Sequence, residues 1–262
     1  MISVVIPTLN TPHALDLCLD SAIKGQKFKN EILVIVDGDI DSNKEVLNKH
    51  IPHIKPIVLE KNVGTCYATN LGVYQSTNKN ILILNDDNVF PKDWDIILSK
   101  LDLSNSVFAP NHIEPYNSIF KQFHIHDLGR TPEEFDLEKF WGYEQKVRKN
   151  LIEHTGSTFP VYIDKMNYMR CGGFDPEYPS PSGFVADWEF FMKCEMNGLK
   201  MMRTYQCMFY HFVSVTAKSP EKIKKAQEYE KLSHMYFRFK WGQMAQHNPE
   251  NNSKLLTGAY NA

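Results

Sequence analysis

The sequence predicts an α/β fold: one mostly parallel sheet with helices on both faces, plus a C-terminal helical extension. Three observations carry that reading. Short β-rich runs alternate with helical segments from the first residues onward, the pattern of strands joined by helical crossovers. The apolar runs stop abruptly at Thr, Asn or Asp, which places polar groups along one rim of the sheet. The last strongly periodic stretch, 221–241, is helical. A chain of 262 residues, 42% apolar and 23% charged, has enough material for one large α/β domain with such an elaboration.

The elements follow in order. Ser3 to Ile6 is a first strand, closed by "PTLN". From Pro12 to Lys24, apolar residues at Leu15, Leu17, Leu19, Ala22 and Ile23 suit an amphipathic helix. "EILVIVD" is a second strand ending at Gly38 and an acid cluster, "KEVLNKHI" a short helix and "IKPIVLE" a third strand. "KNVGTCYATNLGVYQS" opens with a turn, where Gly64 permits a tight entry supported by Asn62, and continues as a helix. "NILILND" is the fourth strand. Residues 105–158 are less regular and rich in aromatics and histidine. The tail from Ala217 carries eight Lys/Arg against four acids, a modest positive balance. With no internal repeat and no long Pro/Gly/Ser linker, residues 1–216 read as one catalytic domain and 217–262 as a helical extension packed on it.

Bulk properties exclude several classes. A net charge of −2 creates no global field for nucleic acid or an anionic membrane. No apolar run approaches the roughly eighteen residues of a spanning helix. "MISVVIPTLN" lacks a basic leader and breaks at Pro7, so it reads as a strand and not a signal peptide. Five cysteines, with no C-x-x-C, argue against a zinc ribbon or a disulfide framework. Reduced thiols in a cytoplasmic compartment are the simplest expectation.

The chemistry concentrates in "ILILNDDNVF", Ile81 to Phe90. Adjacent carboxylates at the end of a buried strand repel each other and resist desolvation, which a cation would relieve. Hard oxygen ligands suit Mg2+ or Mn2+, ions that take one or two carboxylates and complete their shell with phosphate oxygens. Ligands of open α/β sheets sit beyond the carboxyl ends of the strands. That rule gathers Thr8 and Asn10, Asp37, and Asp86 with Asp87 on one rim. The other acid run, "DGDIDSN", is not a calcium loop: Ser42 stands where Gly is needed, Asn48 where Glu is needed, and a strand precedes it. No dinucleotide fingerprint and no Walker A sequence occur.

Taken together, these segments resemble the family-2 glycosyltransferases of the GT-A fold, over roughly Met1 to Thr216. "VVIPTLN" resembles the opening strand and nucleotide-side loop, and "ILVIVDGD" the second strand, whose terminal Asp37 would contact the nucleobase. "KNVGTCYATNLG" resembles the N-x-G-x-x-x-A-R-N-x-G segment through Asn62, Gly64, Ala68, Asn70 and Gly72. "ILILNDDNVFPKDW" resembles the metal-binding strand end, with Asp87 in the main ligand position. "CGGFDPEY", "ADWEFFMKCEMNGLK" and "MFYHFVSVT" resemble the later segments, the second supplying a base and the third a histidine. The chain departs from the pattern at Asn85, which begins the acid motif, at Gly38, at Thr69 in place of Arg, and at Ala186 in place of Glu.

The resemblance implies inverting transfer of a sugar from a nucleoside diphosphate sugar to an acceptor hydroxyl, with Mn2+ or Mg2+ held by Asp87 and His211. It implies Asp187 as general base with Glu189 in reserve, and donor binding by Pro7, Thr8, Asn10, Asp37, Asn62, Gly64, Asn70 and Asp86. Trp188 and Glu189 fall on the acceptor side, although Trp188 equally suits packing against the sheet. The acceptor is a glycan or another hydroxyl-bearing molecule, and the sequence leaves a nucleic-acid acceptor open. Two other readings stand beside this one. A catalytically inactive sugar-nucleotide-binding module is compatible with the altered acid motif. A sugar nucleotidyltransferase is disfavoured because "PTLNTPHAL" has no Gly-rich basic loop. "HIHD", from His124 to Asp127, reads as surface or acceptor-loop histidines, Trp94 as core, and the cysteines as buried apolar residues.

Overall fold

The computed structural model describes residues 1–116, 122–154, 159–213 and 220–245. The chain runs β1 (Ile2–Thr8), α1 (Pro12–Gly25), β2 (Glu31–Asp37), α2 (Ile40–His50), β3 (Lys55–Leu59), α3 (Thr65–Gln75) and β4 (Asn80–Ile83). There follow β5 (Asn88–Val89), α4 (Trp94–Leu98), β6 (Ser106–Glu114), β7 (His124–Ile125), α5 (Leu137–Val147), β8 (Ile152–His154) and β9 (Val161–Asp164). The last elements are α6 (Lys165–Arg170), α7 (Ala186–Met196), β10 (Lys200–His211) and α8 (Pro220–Trp241).

The strands form one sheet in the order β3-β2-β1-β4-β9-β6-β10-β5, with β7 added to β6 and β8 to β10. β1 to β4 pair in parallel, as expected, and β10 runs parallel to β6. β9 is antiparallel to both β4 and β6, and joins the N-terminal half of the sheet to the C-terminal half. Side-chain alternation divides the core. Val5, Ile35 and Ile83 face α3 and α7, while Val4, Ile6, Val34 and Val36 face α1 and α2. Gly72 lets α3 lie directly on the sheet. A Cβ there would overlap Val5 Cγ1 and stand 3.0 Å from Ile35.

Several elements differ from expectation for local reasons. α2 begins at Ile40 because the Asp39 carboxylate accepts the Ser42 amide at 3.2 Å and caps it. β4 ends at Ile83, with Leu84 still donating to the Val5 carbonyl at 3.2 Å before the chain turns. The supposedly irregular middle contains the nine-residue strand β6 and the helix α5, capped by Asp136. Both escaped the sequence reading: β6 is buried along almost its whole length and so shows no alternation. The HIHD histidines are half-buried, in a segment whose Ile125 and Asp127 are exposed, and both lean on one tyrosine. His124 Nε2 lies 2.6 Å from Tyr143 Oη, and His126 stacks on that ring at 3.8 Å. Trp94 is fully buried and all five cysteines are buried and free. α8 packs on the domain through Phe237, which is fully buried; the expected boundary at 216/217 lies outside the described residues.

Candidate active site

The acid pair is held by the strand that follows it. β5 pairs antiparallel with the end of β10, matching His211 to Asn88 and Tyr210 to Val89. The Phe212 amide donates to the Asp87 carbonyl at 3.2 Å. Phe90 is anchored on both sides, its amide to Ser21 Oγ at 2.9 Å and its carbonyl to Trp141 Nε1 at 2.9 Å. Backbone pairing alone therefore brings Asp87 and His211 together, though they lie far apart in the sequence.

Asp86 and Asp87 do different work. Asp86 Oδ2 accepts from Thr8 Oγ1 at 2.6 Å and from Thr11 Oγ1. Thr11 occupies the N-cap of α1, where its side chain caps nothing, so its hydroxyl is diverted from the helix to the acid. Burial, with the neighbouring Asp87 charge, pushes the Asp86 carboxyl up to about 7. Burial also disfavours ionisation of Asp87, but the His211 charge outweighs it and lowers this pKa. His211 Nε2 lies 3.5 Å from Asp87 Oδ2, and Nδ1 lies 2.9 Å from Glu114 Oε1. Burial works against the imidazolium, yet the two carboxylates raise its pKa to about 10.

Two residues that the sequence reading missed complete this cluster. His112 and Glu114 are two apart on β6, hence on one face, and with His211 their ligand atoms fall within 4.8 Å of one another. The His112 and His211 rings stack at 4.9 Å, and His112 Nε2 lies 3.0 Å from Asn88 Oδ1. The H-x-E spacing in "NHIE" was the signal available in the sequence. It carries weight only once β6 is recognised as a strand.

The remaining rim residues are tied into the loops at the strand ends. Asp37 accepts the Val63 amide at 2.7 Å and the Gly64 amide at 3.0 Å, fastening the loop before α3 to the end of β2. Asn62 Oδ1 accepts the same Gly64 amide at 3.1 Å, and Gly64 enters the helix at φ +91°. Gly38 is required because a Cβ there would overlap the backbone of Lys61 and Asn62, which explains the D-G-D sequence. Pro7 is buried and Asn10 exposed on the same rim. Asn70 has a tying role: its side chain bonds the Phe174 carbonyl at 2.7 Å, the Phe174 amide at 3.0 Å and Tyr168 Oη at 2.7 Å.

Beside the acid pair lies an open cleft of about 200 Å³, lined among others by Thr69, Asn85, Phe184, Asp187, Trp188 and Glu230. Its wall is the entry to α7, where Val185 adopts φ +71°, a left-handed conformation that costs a β-branched residue of order 1–3 kcal/mol. That turn sets Asp187 in the first turn of α7. Burial pushes its carboxyl up to about 6, countered in part by the Trp188 amide, which donates to it at 3.0 Å. Glu189 faces away from the cleft. It is fully buried, and Oε1 accepts from Lys240 Nζ at 2.6 Å and Trp241 Nε1 at 3.2 Å, both on α8. The structure thus puts Asp187 in the cleft and Glu189 under the helix.

A family model described as glycosyl transferase family 2 matches residues 3–165. Among curated proteins, the chain is 26% identical over 132 residues to the glycosyltransferase GlyA of Streptococcus pneumoniae, covering 49% of this chain and 19% of that protein. It is 25% identical over 242 residues to an Escherichia coli UDP-Gal:alpha-D-GlcNAc-diphosphoundecaprenol beta-1,3-galactosyltransferase, covering 87% and 80%. Among solved structures it is similar to the mannosyltransferase PcManGT from Pyrobaculum calidifontis, in complex with GDP-Man and Mn2+, at a TM-score of 0.60 and 13% identity. That match covers 93% of this chain and 65% of the other. No described helix is long and apolar enough to cross a membrane.

Proposed function

The chain belongs to glycosyl transferase family 2, and from that premise we propose that it transfers a sugar, with inversion, from a nucleoside diphosphate sugar to an acceptor hydroxyl. The observation that carries the reading is the convergence of two groups. Asp87 and His211 meet at the β5–β10 junction, and Asp187 stands in a cleft whose lining includes Asn85, two residues before Asp87.

The residues fit a divalent cation. A carboxylate oxygen of Asp87 and Nε2 of His211 face each other, and burial together with the neighbouring Asp87 charge, which raises Asp86, is a strain that a cation relieves. Asp87 and His211 would hold Mn2+ or Mg2+, the imidazole favouring Mn2+. When bound, the ion supplies Lewis-acid neutralisation of the charge on the departing diphosphate.

The protein's own groups do the rest. Asp187, ionised above about pH 6, accepts the proton of the acceptor hydroxyl. The acceptor oxygen forms its bond to the anomeric carbon from the face opposite the diphosphate, and the bond from that carbon to the diphosphate oxygen breaks with its electron pair. A single displacement needs no covalent intermediate, so no Ser or Cys nucleophile is required. Thr8 and Thr11 fix Asp86 beneath the site, and Asp37 with Asn62 and Gly64 shapes the donor-side loop. Five buried free cysteines suit a reducing, cytoplasmic setting.

The test is a panel of nucleoside diphosphate sugars assayed for hydrolysis and transfer with and without Mn2+. Metal-dependent turnover of one donor supports the reading. Donor binding without any turnover favours an inactive binding module instead.

A further inference from the structure

The cleft beside Asp187 has a composition of its own. Its described lining contains four aromatic side chains, Phe159, Phe174, Phe184 and Trp188, two carboxylates, Asp187 and Glu230, and no Lys, Arg or His. Phe184 is 37% exposed at the mouth, where a large aromatic has no packing reason to be. Trp188 is steadied from behind by His234 of α8, whose ring stands edge-on at 5.5 Å. At the floor, the fully buried hydroxyl of Thr69 has no hydrogen-bond partner among the described residues. α8 therefore shapes the cleft: it supplies Glu230 directly and seats Trp188 through His234.

Flat aromatic faces with hydrogen-bond acceptors at their margin match the chemistry of a pyranose ring, which offers C–H faces and equatorial hydroxyl donors. The same lining repels an anion, because a phosphate entering it would meet two carboxylates and no cation. We infer that this cleft is an acceptor subsite for an uncharged pyranoside, with Trp188 and Glu230 as specificity-determining residues that exclude acceptors phosphorylated on the reacting sugar. The inference rests on the transferase reading above for the word acceptor. The chemistry of the cleft stands apart from it.

Saturation-transfer NMR on the full chain tests this without turnover. The probes are methyl glycosides of glucose, galactose, mannose and N-acetylglucosamine, and the 6-phosphate of each. At least one neutral glycoside is expected to receive saturation, and its 6-phosphate to bind about ten-fold more weakly. Trp188→Ala should weaken the neutral ligand about three- to ten-fold, with Trp188→Phe restoring much of it. Glu230→Lys, a change at an exposed helix position, should shift preference toward the phosphate. Circular dichroism confirms that each variant folds. Absence of binding by all four glycosides overturns the inference. So does phosphate binding equal to or tighter than neutral binding, or indifference to both Trp188→Ala and Glu230→Lys. If glycosides bind as described while no donor is ever turned over, the transferase reading fails and the subsite stands. If transfer proceeds onto phosphosugars, the subsite fails and the transferase reading stands.

Discussion

Glu114 Oε1 lies 2.9 Å from Nδ1 of His211, on the opposite side of the ring from the nitrogen that faces Asp87 at 3.5 Å. Once a cation displaces the proton on Nε2, a carboxylate accepting from Nδ1–H orients the other nitrogen as a metal ligand and fixes the tautomer that presents its lone pair. Glu114→Ala is therefore expected to weaken Mn2+ binding about 10- to 100-fold, the usual cost of losing such a partner. Titration of the free ion by electron paramagnetic resonance measures it. Unchanged affinity would leave Glu114 with a purely structural role.

Asp187→Asn should keep donor binding and cut transfer by about 10²–10⁴-fold, the range for a general base. Calorimetry with the nucleotide sugar and a coupled transfer assay separate the two quantities. Wild-type turnover from this variant would remove Asp187 from the mechanism.

The raised pKa of Asp187 predicts two pH effects. Transfer should fall as pH drops through about 6, because the base becomes protonated. Stability runs the other way. Between the ordinary Asp value of about 3.9 and the folded value of about 6, the folded state binds more protons than the unfolded state, so this group's contribution declines as pH rises through that window. Asp187→Asn should therefore raise stability at pH 7 by about 1–2 kcal/mol, discounted because the side chain is only half-buried, and do little at pH 3.5. Thermal melts at the two pH values read the difference. Equal effects at both would contradict it.

Lys240 bridges Glu189 at 2.6 Å and Asp175 at 2.7 Å, clamping α8 to the domain. Lys240→Met strands the buried Glu189 carboxylate and should cost about 3 kcal/mol, whereas Lys240→Met with Glu189→Leu should recover most of it. Urea unfolding of the wild type, the single variants and the double variant closes the cycle. Purely additive losses would show that the pair is not coupled.

Much of this architecture is legible in the sequence because local chemistry and tertiary role agree. The opening strands, the acid pair at the end of "ILILNDDN" and the helix 221–241 each announce themselves by periodicity or by a polar stop in an apolar run. Gly64 with Asn62 is legible for the same reason, since the turn they make uses their own backbone and side chain. His112 and Glu114 were not, because they matter only through the register of β6 with β10, a long-range pairing that no local pattern encodes. The separation of Asp187 from Glu189 was equally hidden. Two acids two residues apart on a helix point in different directions, and which of them meets the cleft depends on where α8 comes to rest.

The central claim is that Asp87 and His211 together place a divalent cation on the donor diphosphate. A crystal grown with Mn2+ and the donor found by the panel, with anomalous scattering collected at the manganese edge, tests it most directly. The account predicts one strong peak within coordination distance of Asp87, His211 Nε2 and the diphosphate oxygens. A peak that ligates neither residue, or a bound diphosphate with no manganese beside it, would contradict it.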